Sequence, residues 1–468
     1  YIASGAQAEA AGDLQVSYHA GLVSAREEKA LGVNVNFDPC VDILYNWRNT
    51  IVNTRAYGTD AETVIKYTNA YLDGLTAENG ENMEDGVIQC IKHFPGDGTE
   101  ERDQHLVLGV NELSPEEWRA SFGKVYQNHI DRGVEMIMAG HIAVPALQKE
   151  LNPALEDKDI MPATLAEELI QDALKTELGF NGLVITDATH MLGMTSAMRR
   201  EDYVPKSIAA GCDMFLFFNN IEEDFGFMLK GYQNGVITEE RLTDALRRIL
   251  GLKAKLHLPE KQANGTLLRT REDLNVIGCE EHLQWRAEAA DKGISLIKDT
   301  QNNLPINPVD HKRIRLYMLE GEKGGITDNG SKAQQLFVDE LTKRGYEVTV
   351  NERGSRVKGA TLKYRDEVDF ALEVADIAGY GAQNNYRIQW STAMANEVPW
   401  FVWEVPHAFV SLNFTTHLHD ATMVKTFVNA YHNNEETIKQ VIDKLEGKSE
   451  FKGGHNDLVW TDKWQAKL

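Results

Sequence analysis

Short apolar runs alternate with longer amphipathic segments from the start of the chain to about residue 255. The short runs have the length of buried strands, and the longer segments repeat with the period of a helix that faces a core. Strands are predicted at 33–37, 87–91, 134–138, 183–186 and 214–217, and helices at 61–75, 115–132, 164–178 and 238–250. Alternating strands and helices favour a parallel sheet with right-handed crossovers.

Polar residues recur where these predicted strands end. They are Asp38, Lys92, His93, His141 and Asp187. In TIM-type enzymes, the carboxyl ends of the parallel strands carry the chemistry. The pattern therefore predicts a TIM-type (β/α)8 barrel with its site on the carboxyl face, although the strands predicted here are fewer than a closed barrel needs.

A second alternating region follows a less regular stretch of the chain. Residues 256–294 are predicted to be a linker, which contains Pro259 and Gly265 and ends in a helix at 280–292. Beyond it, strands are predicted at 313–318, 346–350, 370–374 and 408–412, with a helix at 333–344. The chain is thus predicted to have a barrel domain at 1–255, the linker at 256–294 and an αβα sandwich at 295–468.

Length and charge narrow the class of protein. A chain of 468 residues exceeds one ordinary core, so two domains are expected. The formal net charge of −23 disfavours nucleic acid and anionic membrane surfaces as partners. No apolar run approaches the ~20 residues that span a bilayer. The composition favours a water-soluble globular protein and says little about a neutral substrate such as a sugar.

The cysteines and the amino terminus bear on the compartment. Cys40, Cys90 and Cys212 lie in apolar runs, and with Cys279 they form no Cys-x-x-Cys spacing, so buried thiols are predicted and a zinc site is not. No signal peptide is present, which favours a cytoplasmic protein. Because Tyr1 is not a natural start, a secreted or cell-wall-associated protein stays an alternative.

The stretch 92–98, Lys-His-Phe-Pro-Gly-Asp-Gly, is the most informative part of the chain. It places a cation and an imidazole at the end of a predicted strand, and Asp103-x-His105 follows shortly after. An Asp two residues before a His can accept from the ring and hold it in one tautomer. A turn with a surface ion pair explains the same residues, so charge and spacing alone leave both interpretations open.

The Lys-His-Phe-Pro-Gly string followed by Asp-x-His resembles the signature of the β-N-acetylglucosaminidases of glycoside hydrolase family 3. The resemblance implies that His105 is the general acid/base and that Asp103 orients it. It also implies that Lys92 and His93 bind the sugar. Family members commonly have His at the position of Asp97 and Ser at that of Gln104, and neither departure falls on a residue that the mechanism needs.

Asp187 ends the buried run 179–187, Gly-Phe-Asn-Gly-Leu-Val-Ile-Thr-Asp. A rigid strand end at a barrel mouth is a good position for a nucleophile, although an Asp that caps the next helix is a common alternative. The string resembles the one that carries the nucleophile in family 3, which has a Met shortly afterwards, here Met191. The resemblance implies that Asp187 is the nucleophile and that Met191 lies beside the substrate.

Two further residues are candidate substrate ligands. Arg55 lies in a string that resembles the family's Arg-x-Tyr/Phe-Gly loop, whose Arg reaches the substrate, although an Arg that braces a loop fits equally well. His141 ends a strand, where it lines the pocket or satisfies a hydrogen bond in the core. Asp213 opens a strand at the other end of the barrel and is predicted to be structural, and Asp38 is assigned only loosely to the site.

Family 3 barrels begin with strands upstream of the segment that resembles 33–37, and one of these strands ends in Asp-x-Glu-Gly-Gly. Nothing in the sequence matches that motif. The chain is therefore expected to lack the first barrel strands, on the order of 80 residues at ~25–30 per βα unit.

The resemblance implies a retaining, exo-acting hydrolase that releases terminal β-linked N-acetylglucosamine from peptidoglycan-derived or chitin oligosaccharides, without a cofactor. Because a neutral imidazole does not repel an anion, a β-N-acetylglucosaminide phosphorylase is the main alternative. A family 3 β-glucosidase ranks lower, since that branch lacks the Asp-x-His pair. Two alternatives come from other functional classes. One is a metal-dependent hydrolase that uses His93, Asp103 and His105, and the other is a non-catalytic sugar-binding remnant.

Overall fold

The computed structural model describes residues 2–80, 83, 86–321, 331–356, 360–377 and 386–468. The described residues form two compact units. The first unit comprises residues 17–52 and 56–282, and the second comprises residues 2–16, 53–55 and 283–468. The division into domains at 1–255 and 295–468 with a linker between them stays a prediction.

Within the described residues, the strands are short and mostly follow the apolar runs. They are β1 Val35–Asn36, β2 Ile88–Phe94, β3 Gly109–Val110, β4 Met136–Ala139, β5 Ile142–Ala143, β6 Leu183–Ala188, β7 Met214–Leu216, β8 Ser295–Asp299, β9 Arg313–Glu320, β10 Glu347–Val350, β11 Phe370–Asp376, β12 His407–Ser411 and β13 Thr426–Asn429.

The helices of the described residues lie between these strands. The α-helices are α1 Gly5–Ala11, α2 Leu14–Leu31, α3 Ala61–Thr76, α4 Pro115–Trp118, α5 Lys124–Asp131, α6 Pro145–Leu151, α7 Leu192–Thr195, α8 Arg200–Ala209, α9 Ile221–Gln233, α10 Glu239–Lys255, α11 Leu258–Ala263, α12 Glu280–Gly293, α13 Ala333–Lys343, α14 Thr361–Glu367 and α15 Glu435–Leu445. Wider π-helical turns lie at Arg119–Gly123 and Glu168–Glu177. No helix of the described residues is long and apolar enough to cross a membrane.

The first unit is built on a parallel sheet in the order β1-β2-β4-β6-β7. The registers pair Val35 with Ile88 and Met136 with Leu183, so the carboxyl ends of these strands meet at one edge of the sheet. Apolar side chains of β2, β4 and β6 form one core cluster with Leu256, which follows α10. Helices α2 and α3 cross closely at Gly21 and Gly74. A Cβ at either position would lie 1.9 Å from a carbonyl oxygen of the other helix, so only glycine fits at this crossing.

The second unit contains a sheet in the order β10-β9-β11-β12-β13-β8, parallel throughout except for the antiparallel β8. Leu316, Leu372 and Val410 face Phe337 of α13 and Ile442 of α15 in one core cluster. The opposite face carries aromatic side chains such as the stacked pair Phe409 and Phe427. Apolar packing on both faces of the sheet makes this unit a layered αβα sandwich, as the sequence predicts.

Candidate active site

The carboxyl ends of β2 and β6 bring His93 and Asp187 together. His93 Nε2 lies 3.9 Å from Asp187 Oδ2, although 94 residues separate them in the sequence. Parallel strands that end at one edge of a sheet place their last side chains side by side, which is why the spacing in sequence does not matter. Both side chains are largely buried, His93 at 7% and Asp187 at 14% of their full exposure.

Asp187 is held in the ionised form. Its Oδ1 accepts the N–H of Ala188 at 2.7 Å. Burial acts to raise the pKa of the Asp187 carboxyl, but His93, His141 and the Ala188 N–H outweigh it, and the pKa lies below its usual range. A carboxylate that is anionic and fixed in position at a strand end is suited to nucleophilic attack.

Asp103 and His105 contact each other in the loop after β2. His105 Nδ1 lies 2.7 Å from Asp103 Oδ1, and the backbone N–H of His105 donates to the same oxygen at 2.9 Å. The Asp103 side chain is fully buried, whereas 35% of the His105 side chain is exposed. Because a carboxyl oxygen accepts in this contact, Nδ1 is the ring nitrogen that carries the proton, and Nε2 lies on the side of the ring away from Asp103.

Gln104, between the two, ties this loop to the strand ends. Its side-chain Oε1 accepts the backbone N–H of His141 at 2.7 Å, and its carbonyl oxygen accepts that of Gly193 at 3.1 Å. A Cβ at Gly193 would lie 2.8 Å from the Gln104 carbonyl oxygen, so the loop and the segment after β6 touch backbone to backbone. The Asp103–His105 pair is thereby fixed relative to the segment that follows Asp187.

His141 is fully buried at the end of β4. Its Nε2 lies 2.9 Å from the carbonyl oxygen of Ala188, and its Nδ1 lies 3.0 Å from Thr164 Oγ1. A carbonyl only accepts, so Nε2 carries the proton and Nδ1 accepts from the threonine hydroxyl. Burial lowers the pKa of the imidazole. In this structure His141 therefore holds the backbone after Asp187 in place, and its predicted contact with substrate stays a prediction.

The other predicted residues occupy different settings. Lys92 is half-buried on β2, on the same face as Cys90. Burial raises the pKa of the Cys90 thiol, while the charge of Lys92 acts to lower it and that of Asp187 to raise it. Met191 is buried just before α7, at 4% exposure. Arg55 ends the 3-10 helix Asn53–Arg55, which belongs to the second unit.

Asp42 is a residue of this site that the pattern of strands and motifs did not single out. It is fully buried, and its carboxylate contacts His93 Nδ1 at 2.7 Å. The sequence places it in the Cys-Val-Asp string after β1, where it resembles any other polar residue of a loop. Its proximity to His93 depends on the parallel pairing of β1 with β2, which no local motif encodes.

Metal binding by His93, Asp103 and His105 finds no geometric support. Among the described residues, the one group of three ligand-bearing side chains with atoms within 4.8 Å of one another is Cys40, Asp42 and His93. His105 and Asp103 are absent from it. The cysteines of the described residues are free thiols, buried at Cys40, Cys90 and Cys212 and partly exposed at Cys279.

Known proteins resemble this chain over part or all of its length. Residues 3–252 match the family model of the Glycosyl hydrolase family 3 N terminal domain. A Beta-N-acetylglucosaminidase/beta-glucosidase from Cellulomonas fimi is 39% identical over 473 residues, which cover 100% of this chain and 82% of that protein. A Beta-hexosaminidase A from Pseudoalteromonas piscicida is 27% identical over 62% of this chain and 48% of its own length.

Two solved structures show the same architecture. Beta-glucoside phosphorylase BglX superposes with a TM-score of 0.93 at 38% identity, covering 100% of this chain and 82% of that chain. The family 3 β-N-acetylglucosaminidase from Paenibacillus sp. str. FPU-7 superposes with a TM-score of 0.77 at 23% identity, over 96% of this chain and 80% of that chain. The predicted TIM-type fold with a second α/β domain is confirmed. The chain belongs to glycosyl hydrolase family 3, a family of enzymes that act on glycosides.

Proposed function

We propose that the chain is a retaining, exo-acting β-glycosidase that releases terminal β-linked N-acetylglucosamine through a covalent Asp187 intermediate. Two observations together carry the proposal: Asp187 is ionised, and the imidazole of His105, whose charge acts on Asp187, contacts Asp103 through Nδ1. A retaining glycosidase needs one carboxylate to attack the anomeric carbon and a second group to move a proton. Here the second group is an imidazole rather than a carboxylic acid.

In the first step Asp187 attacks the anomeric carbon, and protonated His105 donates its Nε2 proton to the leaving oxygen. In the second step neutral His105 takes a proton from the incoming acceptor, which displaces Asp187 from the anomeric carbon. Lys92, His93 and Arg55 are proposed to bind the sugar hydroxyls, with His141 and Met191 lining the same subsite. No metal or cofactor enters either step.

The substrate class rests on the relatives. The Cellulomonas fimi relative is named for N-acetylglucosaminidase and β-glucosidase activity, and several further relatives are named β-hexosaminidases. The name of the Cellulomonas fimi relative includes N-acetylglucosamine, and the β-hexosaminidase names fit an amino sugar of the same kind. We propose peptidoglycan fragments as the natural source, which would make the enzyme part of peptidoglycan recycling, and chitin oligosaccharides as the second source.

Phosphorolysis is the second candidate, because the structure with a TM-score of 0.93 is a β-glucoside phosphorylase. A carboxylate base would repel phosphate in the second step, whereas a neutral imidazole does not. Phosphate could then displace Asp187 in place of water and yield a sugar 1-phosphate.

One time course separates the two candidates. Nitrophenyl β-N-acetylglucosaminide and nitrophenyl β-glucoside are each incubated with the enzyme in phosphate and in sulfate of equal ionic strength, and the sugar products are analysed. Free sugar in both buffers supports the hydrolase, and sugar 1-phosphate in phosphate alone supports the phosphorylase.

The Asp187→Asn variant serves as the test of the nucleophile. Its activity should fall by several orders of magnitude, as for other catalytic groups that act as a unit. Asp172→Asn makes the same chemical change at an exposed helix position and should keep full activity. An Asp187→Asn enzyme that retains a tenth of the wild-type rate would remove Asp187 from the mechanism.

A further inference from the structure

Asp42 is a buried carboxylate that the proposed chemistry leaves without a role. Its side chain has no exposed surface. Its Oδ1 accepts the backbone N–H of His93 at 3.2 Å and that of Asp97 at 2.8 Å. Its Oδ2 lies 2.7 Å from His93 Nδ1 and accepts from Cys40 Sγ at 2.9 Å. Four contacts on two oxygens are what a permanently ionised, fixed carboxylate requires.

The charge state of Asp42 agrees with this geometry. Burial acts to raise the pKa of the Asp42 carboxyl, but His93 and the donors around it outweigh burial and lower the pKa. The neighbouring Asp97 behaves in the opposite way, because burial and the charge of Asp42 raise its pKa. Of the two carboxyl groups, Asp42 therefore carries the negative charge beside His93.

The contact with Asp42 distinguishes the two ring nitrogens of His93. With Asp42 as acceptor, Nδ1 carries a proton, and Nε2 is the nitrogen that lies 3.9 Å from Asp187 Oδ2. That separation is too long for a hydrogen bond, so Nε2 and Asp187 make no direct bond. In the proposed function His93 binds a hydroxyl of the sugar, and Nε2 is the ring nitrogen on the side of Asp187, where the anomeric carbon would lie.

We propose that Asp42 is a positioning residue, which fixes the tautomer and the orientation of His93 and thereby the hydroxyl of the sugar that Nε2 contacts. The inference rests on the proposed glycosidase function and deepens it. Asp42 does not touch substrate in this scheme and acts through His93. By also accepting the N–H groups of His93 and Asp97, it fixes the end of β2 on which the ring is carried.

A metal held by Cys40, Asp42 and His93 is the competing explanation of the same cluster. Zinc bond lengths of about 2.0 to 2.3 Å and tetrahedral angles separate a thiolate sulfur from a carboxylate oxygen by roughly 3.5 Å. The observed sulfur–oxygen distance is 2.9 Å and the nitrogen–oxygen distance is 2.7 Å. These distances fit hydrogen bonds and are too short for two ligands of one ion.

The tautomer can be measured without substrate. In protein labelled with 15N-histidine, His93 is assigned by comparison with His93→Gln, and the nitrogen shifts and couplings tell which ring nitrogen carries the proton. Wild-type His93 should be protonated at Nδ1, and Asp42→Asn should lose that pattern. A wild-type neutral ring protonated at Nε2 alone would overturn the proposal, whether or not the variant folds.

The kinetic arm uses a double-mutant cycle. Asp42→Asn should lower kcat/KM by roughly ten- to a hundred-fold, by analogy with the loss when the partner that orients a metal-ligating histidine is removed. Adding Asp42→Asn to His93→Ala should cost less than two-fold more, since Asp42 acts through that ring. Cys40→Ala removes a different contact of Asp42 and should stay within two-fold of wild type. Equal, additive losses in both backgrounds would contradict a role through His93.

The NMR measurement and the kinetics can tell whether the positioning role of Asp42 is wrong or the proposed glycosidase function is wrong. A wild-type enzyme inactive on every β-glycoside would remove the proposed function while leaving the tautomer result intact. Loss of activity in EDTA, restored by one divalent ion, would replace the positioning role by a metal site at Cys40, Asp42 and His93.

Discussion

At the scale of single residues, His105 is the proposed proton donor, and its contribution depends on how much help the leaving group needs. His105→Ala should reduce kcat/KM strongly for poor leaving groups such as a second sugar, and least for nitrophenol, which departs as an anion without protonation. The rates are compared on a chitobiose-type disaccharide and on nitrophenyl β-N-acetylglucosaminide. Equal losses on both substrates would point to a structural role for His105.

Glu373 gives the second unit a dependence of stability on pH. It lies on β11, and neither of its carboxyl oxygens has a hydrogen-bond partner in the described part of the chain. Burial and, after it, the charge of Glu397 raise its pKa well above the usual value. The folded state therefore keeps the proton at pH values where the unfolded state has released it.

The sign of the effect follows from this difference. Below pH ~4.5 both states are protonated and Glu373 has no effect; above it, the unfolded state binds fewer protons, so stability falls as pH rises. Glu373→Gln should match wild type near pH 4.5 and exceed its free energy of unfolding at pH 8, with a slope of at most about 1.4 kcal/mol per pH unit.

Thermal unfolding across pH measures this difference. Glu352→Gln, at an exposed position of the same unit, should follow the wild-type curve at every pH. A Glu373→Gln variant that parallels wild type from pH 4.5 to 8 would show that the buried carboxyl ionises as readily as an exposed one.

What the sequence reveals about single residues depends on where their partners lie. Asp103 and His105 are two positions apart, so a local motif predicts their contact. Asp187 could be proposed because it ends an apolar run. Asp42 could not, because its contact with His93 spans 51 residues and arises only when β1 and β2 pair.

At the scale of elements, Asp213 joins β7 to β6. It is 3% exposed, its Oδ2 accepts the N–H of Val184 at 2.8 Å, and its Oδ1 pairs with Arg241. Asp213→Ala would leave the largely buried cations Arg241 and Lys175 short of an anion and one strand N–H unpaired. We expect a loss of about 3–5 kcal/mol in the free energy of unfolding.

Chemical denaturation of the two variants Asp213→Ala and Asp244→Ala tests this expectation. Asp244 pairs with the same Arg241 but is 38% exposed, so its removal should cost less than about 1 kcal/mol. The kcat/KM of folded Asp213→Ala should stay near that of wild type, since Asp213 opens its strand at the end away from Asp187. Similar losses for both variants would contradict the role of burial.

Strands that lie in apolar runs were the more predictable elements, whereas the two-residue strands β3 and β5 and the strands β8 and β13 were not predicted. The predicted 183–186 became Leu183–Ala188 and the predicted 370–374 became Phe370–Asp376. The helix predicted at 115–132 forms, but a π-helical turn at Arg119–Gly123 interrupts it, because tertiary packing rather than periodicity decides such turns. Helices α1, α2, α8, α9 and α15 were not predicted; in α2 the apolar residues follow no clear helical period, whereas α15 is clearly amphipathic and was missed.

At the scale of the whole molecule, the formal net charge of −23 affects the two acceptors differently. Water is neutral, whereas phosphate is repelled by the summed field of the protein. If phosphate is the acceptor, its KM should fall severalfold as sodium chloride rises from about 10 to 150 mM, because the screening length shrinks from about 30 to 8 Å. The KM of the neutral glycoside should stay constant. Initial rates at fixed pH measure both, and a phosphate KM that is insensitive to salt would contradict a long-range charge effect.

The anchoring of Gln104 has a consequence for redesign. The segment that carries Asp103 and His105 is fastened through Gln104 to His141 on one side and to Gly193 on the other. A three-residue graft of Asp-Gln-His onto another barrel would therefore carry the reactive groups without their anchorage. The transferable module is the tripeptide together with the two backbone segments that it contacts, the segment just after β4 and the first turn of α7. A design that moves this chemistry to a new scaffold must first reproduce these two backbone segments.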